Sequence, residues 1–559
     1  MKQFSTVTLL LLILLTASFV FGETYARNET LYAGGGMWAP PSNWNPITPW
    51  NAVTGTVGLI YETLYLYDPI TDNMKPWLAQ EGLWISDNVF RLKLRKGLTW
   101  SDGTPLTAKD VAFTFELAKK HPEIYYSSMW NWLADVKVID DLTLDFHFSD
   151  PRYQEWRYNL YQIPILPEHV WSKKSKDEIL TGANEPPIGS GPYLFETYSQ
   201  DRMVYLRNDN WWATKLLGLK PAPKRIVYLR VLSNNVALGM ILKGELDISN
   251  FFLPGIPRLK QAYGNIHTWY DGPPYMLPAN TAFLFVNTVK KPLDNPELRK
   301  AMAYAINPKE IAEKVFENQV EVSNPLGFLN IPAWMNVYPE DVVRKYGFRY
   351  DPAEARRILD AGGFKDVDGD GFREAPDGSK MHFDIIVPYG WTDWMESIKI
   401  IAKNLQAVGI NAEAKFPDYS KYTEDLYGGK FDLAINNFNS TVSSTVWTLY
   451  NWLFNPDIQE YMTNGNFGRY QNSELTQLIV ELSHARTVDE ARETVAKIAE
   501  IFLMEIPYIP LWYNGMWFQA STQVWKNWPS AKNPYAIPCT WNGWWQMGGV
   551  LTLTGITSK

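Results

Sequence analysis

The sequence predicts an α/β fold, on three observations. Short runs that alternate apolar and charged residues read as strands, helical patterns with their own start and stop signals follow them, and the 559 residues contain neither an internal repeat nor a low-complexity linker. At about 150 residues per domain, this length suggests three or four structural units.

The first segment is an address. Met1, Lys2 and Gln3 precede an apolar run centred on residues 9–15, which ends in small residues at Gly22. A basic start, a short apolar stretch and a small residue read as a cleaved export leader over 1–22, and the run falls short of the ~20 residues that a membrane span needs. No cysteine follows it, so lipid attachment there is excluded and a periplasmic protein is expected. Further on, Phe90, Leu92 and Leu94 alternate with Arg91, Lys93 and Arg95, a strand with one buried face. Residues 101–105 are a turn. Thr107 and Asp110 form a capping box ahead of Val111, Ala112, Phe115 and Ala118 at helical spacing. Asn295 before Pro296 starts a second helix along Leu298, Ala301, Met302 and Ala305. Asp351 and Pro352 start a third, with Ala355, Ile358 and Leu359 inside and Gly362-Gly363 as its stop. A fourth is expected over 396–407, with Ile398, Ile401, Ala402 and Leu405 on one face.

Composition narrows the chemistry. Lys plus Arg number 52 and Asp plus Glu 60, a formal charge of −8, which argues against nucleic acid or an anionic membrane as partner. Cys539 is the single cysteine, and the six histidines are scattered, so neither a disulfide within the chain nor a Cys- or His-based metal site is expected. The surplus is aromatic: 25 Trp, 31 Tyr and 26 Phe. Core packing does not require that many tryptophans, each of which brings an N–H to satisfy. Asp366, Asp368 and Asp370 stand in a D-x-D-x-D-G run, the start of a calcium loop, but position twelve is Asp377 rather than glutamate. The alternating residues 381–385 that follow favour a polar Gly-rich hairpin turn, with calcium as the alternative ligand of this loop and no cofactor required.

Several segments together resemble one family. Residues 90–114, FRLKLRKGLTWSDGTPLTAKDVAFT, are similar to the signature stretch of the extracellular solute-binding proteins that feed peptide, nickel and oligosaccharide ABC transporters. The P-I-G-S-G-P-Y turn from Pro187 to Tyr193, Gly244-Glu245 with Asp247, and Leu293-Asp294-Asn295-Pro296 with Arg299 follow in that family's order. Tyr350-Asp351-Pro352, Phe431-Asp432-Leu433 and Ile506-Pro507-Tyr508 complete it. The resemblance implies the type II periplasmic-binding-protein fold in its large three-region form: two lobes, a hinge and a ligand cleft between them. Lobe one would take 23–288 plus 504–559, with an inserted region at about 68–185, and lobe two 289–503. It also implies a monomer that delivers its ligand to an ABC permease, and no enzymatic activity.

Peptide binders of this family are expected to carry an aspartate ten residues past the phenylalanine of the F-D-L strand; here that position is Thr441. Independently of any family, residues 433–456 contain no charge at all but include Asn436, Asn437, Asn439, Trp447 and Trp452. A buried ammonium there would lose several kcal/mol of solvation, roughly, without a partner. Sugar hydroxyls both donate and accept, as amides do, and sugar C–H faces pack flat on aromatic rings. The expected ligand is therefore an oligosaccharide, with β-linked gluco-oligosaccharides such as cellobiose and longer chains favoured, and the resemblance is nearest to cello-oligosaccharide binders. Candidate contacts are Trp38, Asn43, Trp44, Asn45, Trp269, Tyr270, Trp391, Trp394, Asn436, Asn437, Asn439, Trp447, Trp512 and Asn514. An oligopeptide binder of the same fold is the alternative. A secreted glycoside hydrolase is disfavoured, because no local catalytic signature is present and Gly189-Ser190-Gly191 is not G-x-S-x-G.

Overall fold

A computed structural model describes residues 25–559 apart from 36, 38–39, 49–52, 438–442 and 539–547. The leader at 1–22, Trp38, Asn439, Thr441 and Cys539 lie outside the described residues.

Strand β1 (Thr30–Gly34) opens the first lobe. The chain then leaves to build a separate antiparallel sheet from β2 (Ala79–Ser86), β3 (Val89–Leu94), β4 (Leu133–Val138) and β5 (Thr143–Phe148), in the order β2-β3-β5-β4. Helix α1 (Ala108–Lys120) lies between β3 and β4 in sequence, and α2 (Tyr153–Gln162) follows β5. The predicted capping box is present: Thr107 accepts from the Lys109 N–H, and the Thr107 N–H donates to Asp110 Oδ2 at 2.8 Å. The alternation read over 90–95 holds, with Phe90, Leu92 and Leu94 buried.

The chain returns through β6 (Tyr193–Ser199), β7 (Arg202–Arg207), β8 (Arg225–Leu229), α3 (Asn234–Lys243), β9 (Ile248–Ser249) and β10 (Ile266–His267). It then crosses to the second lobe: β11 (Leu277–Val286), α4 (Pro296–Ala305), α5 (Pro352–Ala361), β12 (Phe383–Ile386), α6 (Thr392–Gln406), β13 (Ala412–Lys415), β14 (Leu433–Asn437), α7 (Trp447–Leu453), α8 (Ser473–His484), α9 (Val488–Glu505) and β15 (Tyr508–Met516). It crosses back for β16 (Gln519–Ser521). The two main sheets run β10-β16-β9-β1-β8-β7-β6 and β13-β12-β14-β11-β15.

Two sequence readings need adjustment. β11 and β15 hydrogen-bond to one another inside the second sheet, so the crossings fall at 267–277 and 516–519 rather than at 288 and 504. Both strands are apolar runs buried on both faces, and such runs do not announce which lobe owns them. Helix α6 begins at Thr392 rather than 396, because buried Trp394 continues the apolar face of Ile398, Ile401 and Leu405 one turn earlier. The caps read at Asn295 and Asp351 are present, accepting from the main-chain N–H of Glu297 and Glu354.

The inserted region is joined to lobe one around Glu62, whose carboxylate is 2 % exposed and has no cation in contact among the described residues. Its Oε1 accepts from Trp77 Nε1 (2.9 Å) and Trp211 Nε1 (3.1 Å), and its Oε2 from Trp212 Nε1 (2.7 Å) and Ser190 Oγ (2.8 Å). Ser190 belongs to the P-I-G-S-G-P-Y turn. A Cβ on its neighbours Gly189 and Gly191 would lie 2.0 Å from Ile60 O and 2.2 Å from Leu59 O, so only glycine lets the turn lie against the segment that carries Glu62.

Burial pushes the Glu62 carboxyl up from 4.5 to about 7, while the four donors pull the other way. A carboxyl raised in the folded state makes stability fall as pH rises from its unfolded value to its folded one. Between pH 5 and 8, wild-type protein should lose on the order of 3 kcal/mol from this group, and Glu62→Gln should remove that loss from the pH profile of urea midpoints. Glu62→Ala, which leaves indole N–H groups unpaired, should cost about 3 kcal/mol or more at pH 7.

Candidate ligand-binding site between the lobes

In open sheets the crevice beyond the carboxyl ends of parallel strands is where ligands bind. In lobe one, β1 is parallel to β8 and β9, and these strands end at Gly34, Leu229 and Ser249. In lobe two, β12 is parallel to β13 and β14 and ends at Ile386, beside β14 ending at Asn437.

Lobe one's edge is closely packed. Gly35 has φ +132°, and a Cβ there would lie 2.7 Å from Asn250 Cβ. The Tyr228 hydroxyl donates to Gly35 O. The Asn250 N–H donates to Gly34 O (2.9 Å), and its carboxamide donates to Trp517 O (2.8 Å) in the second crossing. Gln519, at the start of β16 and opposite Ser249, is fully buried, and neither end of its amide finds a hydrogen-bond partner among the described residues.

Lobe two's edge is set by antiparallel register. Asn437 faces Ala282, so the carboxyl end of β14 approaches the amino-terminal half of β11. There Asn280 stands opposite Asn514 of β15. The two asparagines are 4 % and 3 % exposed, and the Oδ1 of each accepts no hydrogen bond among the described residues. Asn436 and Asn437 are half-buried beside them. Because β11 begins just after one crossing and β15 ends just before the other, this amide edge faces lobe one.

The lobes touch on both flanks of this space. On the inserted-region side, Ser444 N donates to Tyr161 OH (2.9 Å), Gln154 Nε2 donates to Ala485 O (2.7 Å), and Asp150 and Asp87 pair with His484 and Arg486 at 2.7 Å each. On the other side, Asn234 Nδ2 donates to Thr392 Oγ1 (3.3 Å). Next to that contact Asp393 is buried at the start of α6, and burial pushes its carboxyl up to about 6.

Of the sequence candidates, Asn436 and Asn437 stand half-buried at the carboxyl end of β14, and Asn514 lies on β15 opposite Asn280. Trp44 does not: it is fully buried with Phe195 and Tyr198 rings at 4.6 and 4.8 Å, leaving no free face for a sugar. Asn45 donates to Ile179 O and Gly182 O, and Asn43 accepts from the Asn45 N–H, so both shape the chain locally. Trp394 and Trp512 belong to the lobe-two core, where Trp512 packs on Phe316 at 5.2 Å. Trp269 is buried, with Tyr270 edge-on at 6.5 Å. Trp447 is 7 % exposed, in the segment that meets α2. Trp391 is half-buried. The common cause is size: a flat ring that fits a cleft fits a core equally well, and neighbouring asparagines do not tell the two apart. Sequence reasoning missed Asn280 and Gln519. The polar pair Asn280-Thr281 inside an otherwise apolar strand was the available signal for the first.

The aspartate loop lies apart from this edge, against the ends of α5 and α6. Asp366, Asp368 and Glu374 bring carboxylate oxygens within 4.8 Å of one another. Asp366 accepts from the Gly369 and Gly371 N–H groups, and Lys380 pairs with Asp368 (2.6 Å) and Asp370 (3.4 Å). Asp377 instead accepts from Ser379.

The geometry has close counterparts. Residues 73–460 match the family model described as bacterial extracellular solute-binding proteins, family 5 middle. A crystal structure of a periplasmic oligopeptide-binding protein of an oligopeptide ABC transporter from Thermotoga maritima is 58 % identical, covers 96 % of this chain and 100 % of its own, and superposes with a TM-score of 0.94. A second crystal structure from Thermotoga maritima, described in the same words and with mannohexaose bound, has the same identity and coverage and a TM-score of 0.91. A probable peptide-binding protein from Agrobacterium fabrum is 22 % identical over 83 % of this chain and 81 % of its own. Among the described residues no helix is long and apolar enough to cross a membrane. With two α/β lobes meeting over a shared edge and a family match across most of its length, this chain belongs to the family 5 bacterial extracellular solute-binding proteins, the ligand-capturing components of ABC transporters.

Proposed function

We propose that this protein captures oligosaccharides for import, taking linear β-linked manno- or gluco-oligosaccharides, cello-oligosaccharides among them. The observation that carries this reading is the pair of facing edges with Asn280, Asn514 and Gln519 buried and incompletely hydrogen-bonded. Each such atom costs about 1–3 kcal/mol while unpaired, and a ligand hydroxyl supplies what it lacks. Closure without ligand is therefore penalised and closure on a sugar is not. Moving a two-state equilibrium from mostly open to mostly closed takes about 5.5 kcal/mol, which a few such atoms provide. A peptide's charged termini would find no ion-pair partner along 433–456. The mannohexaose in the 58 % identical structure supports the same reading. Peptide-binding names are carried both by relatives of 22–26 % identity and by the 58 % identical structures, one of which holds a sugar.

Calorimetry against mannohexaose, cello-oligosaccharides and a mixed peptide pool tests this. At least one sugar should bind with a Kd near micromolar, roughly −8 kcal/mol, and peptides should give no heat. Stabilisation by peptides with none by either sugar would overturn it. Asn280→Ala and Asn514→Ala should each weaken sugar binding about tenfold while leaving the ligand-free melting temperature unchanged or raised, because each removes an unpaired buried oxygen. Calcium is not required in this reading: chelation should leave sugar affinity unchanged, since Lys380 already neutralises two of the loop's aspartates and the loop is remote from the amide edge.

A further inference from the structure

We propose that Tyr389, Trp391 and Tyr419 form an external platform at the lip of the cleft, which holds the sugar units of a long chain that project beyond the amide site. The proposal rests on the oligosaccharide reading and extends it to chain length.

The three rings are at the surface by construction. The carboxyl end of β12 runs directly into Tyr389, whose side chain is 72 % exposed. Its main-chain N–H donates to Pro417 O at 2.7 Å, which brings the segment before Tyr419 alongside. Tyr419 is 48 % exposed, and its ring lies 6.0 Å from that of Trp391 at 37°. Trp391 is half-buried and rests on the edge of buried Trp394 at 4.9 Å. Buried Tyr422 backs the group and donates its hydroxyl to Ile435 O of β14 (2.6 Å), so the platform is anchored to the strand that ends at Asn437. Across the cleft, Leu232 is 72 % exposed and Val236 50 %. The Asn234–Thr392 bond joins the two sides.

Isolated exposed apolar residues are ordinary, but Trp391 and Tyr419, in ring contact and backed by buried Trp394 and Tyr422, with exposed Tyr389 tied by its main chain to the segment before Tyr419, mark a contact surface. The surroundings select the occupant. The platform lies at the carboxyl end of β12, beside β14 and its amides, so it continues the ligand site. The groups joining the two sides are an amide and a hydroxyl, and they suit sugar hydroxyls while the rings suit C–H faces.

The test is affinity against chain length, using mannobiose and mannohexaose, or cellobiose and a long cello-oligosaccharide if the wild type prefers those. Tyr389→Ala and Tyr419→Ala should each weaken the long sugar about 3–10-fold and leave the disaccharide unchanged, with Tyr389→Phe behaving as wild type. Unchanged affinity for the long sugar, or an equal loss for both lengths, would overturn the platform while leaving the proposed function standing. Variants that bind both sugars normally but fail to support uptake would assign the rings to the permease instead and also overturn it. A wild type that binds no sugar at all would overturn the function and the platform together.

Discussion

The architecture depends on how a single buried carboxylate is satisfied. Glu62 has no ion-pair partner among the described residues, and four neutral donors share its charge. Those donors come from three places far apart in sequence: the start of the inserted region at Trp77, the glycine-flanked turn at Ser190, and the Trp211-Trp212 pair that follows β7. An ion pair would have fixed two of these segments together; three indoles and a hydroxyl fix all of them. Indole suits the role because it donates without accepting, so no lone pair competes with the carboxylate, and its rings stack edge-on around the charge, as Trp77 and Trp212 do at 5.2 Å. The position of the inserted region follows from this junction, and with it the position of α2, the helix that meets lobe two.

Part of the aromatic surplus therefore has a structural explanation. Trp77, Trp211 and Trp212 are hydrogen-bond donors to a buried charge. Trp44 and Trp512 are packing, and the Trp391 group is surface. Three uses of one residue type share a composition, which is why the count could raise the question without answering it.

Capped helices, the alternating strand at 89–94 and the order of the motifs were legible because each depends on neighbours in sequence: a cap needs its residue three positions on, and a strand needs alternation. The uncharged stretch at 433–456 was legible for the same reason. Lobe ownership of β11 and β15 was not, because it depends on which sheet a strand buried on both faces joins. Nor was the pairing of Asn280 with Asn514, which brings together residues at opposite ends of lobe two through antiparallel register. Site tryptophans were the least legible, since burial of a ring is decided by tertiary packing alone.

Asn250 connects two functions that are usually discussed apart. Its main-chain N–H holds the end of β1 at Gly34 and its carboxamide holds Trp517 in one of the two segments about which the lobes turn. The end of β1 and the second crossing are thus one piece. Asn280 and Asn514 have no such double attachment through their Oδ1 atoms, which accept no hydrogen bond among the described residues. A change at Asn250 is therefore felt both at the end of β1 and at the second crossing.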